Sequence, residues 1–135
     1  MAMGNFSIAL KAFENKAAGN MRTVIQKIGM EAFKRVIEKS PVDTGRFRAN
    51  WGVQIGSPYA GRSEIFDKDG QRTISKMTVD VAAWNAQGRI YLCNNLAYSI
   101  PLEYGHSKVQ APAGMVRVTV AEMGGTAETV ARGTR

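Results

Sequence analysis

The chain has one histidine, His106, which follows a carboxylate and a phenol in Glu103-Tyr104-Gly105-His106. An acid and an imidazole beside a tyrosine are parts from which general acid–base catalysis is built. With one ring, a histidine metal site or a Ser-His-Asp arrangement rests on His106 alone, and acid–imidazole neighbours arise by chance in many loops. Cys93 is the only cysteine, so no intrachain disulfide and no thiolate metal cluster can form. It lies in the apolar run Arg89-Ile90-Tyr91-Leu92-Cys93 and reads as a small buried hydrophobe rather than a reactive thiol. Asp67-Lys68-Asp69-Gly70 has the first acids of a calcium loop but lacks its remaining ligand positions and distal glutamate. No glycine-rich phosphate loop of Walker or dinucleotide type is present. The expectation is a protein without catalytic residues, cofactor or metal.

Cations offer a second kind of chemistry. The formal net charge is +7, and it is uneven: residues 1–48 hold nine Lys/Arg against four Asp/Glu, the remainder nine against seven. A basic first third suits nucleic acid or an acidic protein surface, and equally the solvated face of a helix. Arg46 and Arg48 flank Phe47, while Arg22, Lys27, Lys34 and Arg35 fall in a helical stretch. No recognised base-reading motif accompanies them, so contact with DNA would be to phosphates, which position without specifying sequence. Arg46, Arg48, Lys34 and Arg35 are the candidate contacts to a partner or to DNA.

The elements that must position these groups fit one domain, since 135 residues can bury a core without disulfides or metal. No apolar run approaches the roughly 18–20 residues of a membrane span, and Met1–Leu10 lacks the pattern of a signal peptide. No membrane association and a cytoplasmic site of synthesis are expected. Residues 6–39 read as helix: Met21, Val24, Ile25, Ile28, Ala32, Phe33, Val36 and Ile37 recur at spacings of three and four. Asn5 or Ser7 can cap its start. Gly19-Asn20 can divide it; unbroken, it would span roughly 50 Å at about 1.5 Å per residue. Ser40-Pro41 ends it, because proline disfavours helical geometry in the residue before it.

Asp43, Thr44 and Gly45 then form a structural turn, the polar side chains bonding nearby amides and the glycine taking positive φ. Alternation of Phe47, Ala49, Trp51, Val53 and Ile55 predicts a strand. Residues 56–72 form a long exposed loop, of a kind associated with mobility or partner contact. Alternation of Met77, Val79, Val81 and Ala83 predicts a second strand over 73–83, and 88–94 a third. A short helix fits 96–104, stopped by Gly105. The tail fits two readings: Val116 to Val120 alternates as a strand does, while Pro112 suits a first helical position ahead of a stripe of Met115, Val118, Thr119, Glu122 and Met123.

Three segments in order carry a family resemblance. Ser40-Pro41-Val42-Asp43-Thr44-Gly45-Arg46-Phe47-Arg48-Ala49-Asn50-Trp51, the run from Ile90 through Asn94-Asn95 and Tyr98 to Glu103-Tyr104-Gly105, and Gln110-Ala111-Pro112-Ala113-Gly114-Met115-Val116-Arg117 resemble motifs of a small tail-component family of long-tailed bacteriophages. That family is similar to neck and tail-completion proteins. Ser99 stands where alanine is common, and Gly124-Gly125 interrupts the expected last helix. The resemblance implies an α+β fold: a long N-terminal helix on a small antiparallel sheet within 47–94, a short helix, and a C-terminal helix over 112–130. It implies a non-enzymatic virion protein, assembled as a homo-oligomeric ring of six in that family's manner, beside other neck and tail proteins and the passing genome. Tail termination and non-specific DNA contact are the alternative functions. Tyr59, Phe66, Tyr104 and His106 are the candidate subunit contacts, because a monomer gains little from exposing aromatic surface.

Overall fold

A computed structural model of the chain describes residues 21–105, 107, 110–111 and 113–133. Expectations for residues 6–20, His106 and Pro112, including the Asn5 or Ser7 cap and the Gly19-Asn20 break, lie outside these. The described residues form α1 (Met21–Lys39), α2 (Arg46–Ala49), β1 (Trp51–Ile55), α3 (Gln71–Ala82), β2 (Ile90–Asn94), α4 (Ser99–Glu103) and α5 (Val116–Gly133). The fold is α+β, with β1 and β2 pairing antiparallel in register from Trp51↔Asn94 to Ile55↔Ile90.

The apolar stripe of α1 does what its spacing predicts: Val24, Ile28, Ala32, Phe33, Val36 and Ile37 are all buried. Their neighbours are Val53 of β1, Met77 and Val81 of α3, and Met123 and Ala127 of α5. A second cluster gathers Phe47, Leu96, Leu102, Ala111 and Met115 around Val36, with Trp51 and Leu92 touching both. At roughly 25 cal/mol per Å² of apolar surface removed from water, this burial is the main force holding helices to sheet.

Two strand expectations are corrected. Residues 73–82 are helix, not strand, and Ala83 is the turn residue that ends it. A spacing of four satisfies both periods, and the molecule uses it helically: Thr73, Met77 and Val81 face the core, while Val79 points out with 69% of its surface exposed. The expected strand over 47–55 is split. Arg46–Ala49 turns as a short helix, which swings Phe47 into the second cluster, and extension begins only at Trp51. The loop closes at Gly70 rather than residue 72. The short helix narrows to Ser99–Glu103, and the tail is helix from Val116. Gly124 and Gly125 lie within it, with open space where a side chain would stand. Each costs roughly 1 kcal/mol against alanine, and packing of Met123 and Ala127 offsets it.

The helices are finished by distant side chains. Gln26 of α1 donates from Nε2 to the carbonyls of Ala82 and Trp84, both at 3.1 Å, and of Val81 at 3.4 Å, closing the C-terminus of α3. At the other end of α3, the Asp67 carboxylate accepts from Thr73 N at 2.8 Å and Thr73 Oγ1 at 2.7 Å. Burial pushes the Asp67 pKa up, but hydrogen bonds from the Thr73 side chain and amide, the Asp69 side chain and the Arg72 amide together outweigh it and hold the group below its ordinary value.

Candidate partner-contact surface

The first motif folds into a clasp on the end of α1. Ser40 Oγ donates to Val36 O at 2.8 Å and accepts from Trp51 Nε1 at 2.7 Å. Gly45 sits at φ 89°, ψ 3°. A Cβ there would stand 2.6 Å from Lys68 N and 2.7 Å from Asp67 backbone atoms, so conformation and space both require glycine. Its carbonyl accepts from Ala49 N at 3.0 Å and Asp67 N at 3.1 Å, while Thr44 Oγ1 accepts from Arg46 N at 3.2 Å. Asp43 is exposed.

Arg48 belongs to this clasp. Its guanidinium donates to Lys68 O at 2.7 Å and to Glu38 O and Ser40 O, each at 2.9 Å. A cation on the last carbonyls of α1 satisfies acceptors that the helix leaves open and complements its dipole. Arg46 donates to Glu64 at 2.9 Å. Arg35 pairs with Glu31 at 2.9 Å and lies 3.6 Å from Glu122, to which Lys39 donates at 2.8 Å. Of the four cations singled out in the sequence, Lys34 alone is exposed and has no ion pair or hydrogen bond among the described residues.

The long loop is pinned rather than loose. Asn50 and Ser63 exchange two hydrogen bonds, at 2.9 and 2.8 Å, and Asn95 Nδ2 donates to Tyr59 O at 2.9 Å and Gly61 O at 3.0 Å. The Tyr59 ring lies where a Cβ on Gly52 or Gly61 would be, so Tyr59 is a half-buried lid on β1. Ile65 and Phe66 of the same loop are exposed, at 41% and 61%.

The other motifs join the same structure. Gln110 and Val42 bond reciprocally, at 2.7 and 3.2 Å, and Asn94 Nδ2 donates to Phe47 O at 2.8 Å. Glu103, which the sequence offers only as a carboxylate near His106, is a helix cap. Its carboxylate accepts from the amides of Met115 at 2.9 Å, Val116 at 2.8 Å and Arg117 at 3.0 Å, and from Arg117 Nε at 3.0 Å. It caps α5 across a chain separation no local capping motif reveals. Burial pushes its pKa up, but the Arg117, Val116 and Met115 amides and the Arg117 side chain prevail and hold it below the usual glutamate value. Arg117 also lies 4.6 Å over the ring of Tyr104.

Beside this knot the surface is apolar: Tyr98, Ile100 and Tyr104 are 40%, 70% and 70% exposed. With the Ile65–Phe66 pair they are the residues most suited to contact another protein. Among the described residues, no group of three His, Cys, Asp or Glu could hold a metal ion, and no helix is long and apolar enough to cross a membrane. Cys93 is half-buried. No family model, curated protein or solved structure matches the chain.

Proposed function

We propose that this chain is a non-enzymatic structural protein of a tailed-phage virion, a ring-forming neck or tail-completion subunit that joins tail to head and borders the path of DNA. The observation that carries the reading is that the three motif segments behind the family resemblance fold against one another. Ser40 meets Trp51, Gln110 meets Val42, Asn94 meets the carbonyl of Phe47, and Glu103 caps the helix that begins at Val116. Residues so engaged build a scaffold, and the exposed aromatic and aliphatic groups beside it are what a subunit contact would bury. The internal partners of Arg35, Arg46 and Arg48 argue against a dedicated DNA reader.

Imaging intact particles and particles lacking this protein tests the proposal. The expected result is a ring at the head–tail junction of the intact particle, and filled heads beside unjoined tails in its absence. Overlong tails would replace the proposal with tail termination, and absence of the protein from the particle would end it.

A further inference from the structure

Between α1, α3 and α5 runs an open trough of about 380 Å³. Its floor is apolar: Met77 closes the bottom, while Met30, Ile74 and Val130 are half-buried side chains at the margin of the core. Its lip is cationic, carrying the exposed Lys27 and Lys34, neither with an ion pair or hydrogen bond among the described residues. The one carboxylate in the wall, Glu31, is paired with Arg35. Its volume falls at the small end of the roughly 300–1,000 Å³ common for ligand sites, but it is too open to enclose a small molecule on most sides. It suits a protruding piece of protein that offers apolar side chains flanked by carboxylates.

The chain carries such a piece. Ser63-Glu64-Ile65-Phe66-Asp67-Lys68-Asp69 presents Ile65 and Phe66 to solvent, with Glu64 84% exposed on one side and the exposed Asp69 on the other. The segment is held out rigidly: Ser63 is bonded to Asn50, and Asp67 N donates to Gly45 O. Such rigidity lowers the ordering cost of a contact. The Glu64–Arg46 pair is exposed and worth little, so Glu64 can exchange it for a lysine across an interface. Knob and trough share no residue. We infer that the Ile65–Phe66 knob of one copy seats in the α1–α3–α5 trough of the next, with Glu64 and Asp69 meeting Lys27 and Lys34. This contact is heterologous: each copy offers a knob to one neighbour and a trough to another, the arrangement that closes rings or extends filaments. It deepens the ring reading by naming the interface, yet it is testable without the virion.

The test uses the full chain in a Cys93→Ser background, with Phe66→Cys in one preparation and Thr78→Cys, on the trough wall, in another. A short bismaleimide crosslinker traps even a weak contact, because covalent product accumulates. The expected result is dimer in the mixture and little in either preparation alone. Adding Lys27→Glu and Lys34→Glu to the Thr78→Cys copy should cut the crosslinking rate roughly fivefold to thirtyfold, the loss expected for two exposed ion pairs. Adding Glu64→Lys to the Phe66→Cys copy should restore part of it. Equal crosslinking alone and mixed, no crosslinking, or indifference to charge reversal overturns the interface. A ring seen in particles whose copies do not crosslink at this pair would overturn the interface alone, whereas solution crosslinking without a ring in the particle would overturn the virion role alone.

Discussion

Replacing Arg48 by methionine keeps the aliphatic stem and removes the guanidinium that clasps Glu38, Ser40 and Lys68 carbonyls. The bond to Ser40 O is partly shielded and, with a charged donor, is worth about 1.5–2 kcal/mol. The two more exposed bonds add about 0.5 kcal/mol each, and a cation at the C-terminus of α1 about 0.3–1 kcal/mol. Against this, Arg48 Nε is buried with no hydrogen-bond partner among the described residues, which costs about 1 kcal/mol in the parent and is relieved by the change. The net expectation is a loss of roughly 2–3 kcal/mol. With an m-value near 2 kcal/mol/M, the urea midpoint should fall by about 1–1.5 M with the slope unchanged. Arg48→Lys should lie between the two, because a point charge cannot reach three carbonyls at once. If Arg48→Met unfolds within about 0.3 M of the parent while DNA binding or assembly collapses, Arg48 is a contact residue and the clasp assignment is wrong.

Gly45→Ala and Gly56→Ala both place a side chain at φ 89°, which costs about 1–2 kcal/mol. Only the former meets backbone, so it should lower the urea midpoint at least twice as far, and equal effects would refute the close approach at Lys68. The pKa of Glu103 is held down in the folded chain, so its stabilisation is complete above the unfolded value of about 4.3 and fades as pH falls through the lower folded value. The stability gap between parent and Glu103→Gln should therefore be constant from about pH 5.5 to 7 and narrow in acid; a gap that widened in acid would reverse the sign of the argument. Duplex DNA should bind weakly, without sequence preference and with a steep salt dependence, and a footprint surviving high salt would contradict this. Six copies in one ring would carry about +42, so sedimentation at low and moderate salt should find the isolated protein mostly monomeric, with stable rings refuting that electrostatic reasoning.

The stripe of α1, the turn at Gly45 and the strand ending at Asn94 were legible because each rests on local pattern. Residues 73–83 misled because Met77 and Val81, four apart, satisfy strand and helix alike; the exposure of Val79 decides, and a sequence does not print exposure. The cations misled in another way. Positive charge is visible in a sequence, but the acceptors that absorb Arg48 are main-chain carbonyls eight to twenty residues away, which every residue carries. Glu103 lay hidden because its amide partners enter α5 from a separate segment. Lys27 and Lys34 were visible as charge, but the apolar floor beneath them required α3 and α5 to be placed first.

The cap that Gln26 sets on α3 bears on how the chain reaches this state. Arg48 closes α1 across eight to ten residues, a small loop that can form early, whereas Gln26 must meet carbonyls 55 to 58 residues onward. Closing the longer loop costs only modestly more entropy, but it requires α1 and α3 to be docked. The last turn of α3 therefore has no complete set of partners until α1 lies against it. A break of the backbone between Gly56 and Gly70 would part the last turn of α3 from Gln26 and β1 from β2, so neither fragment would keep its shape alone.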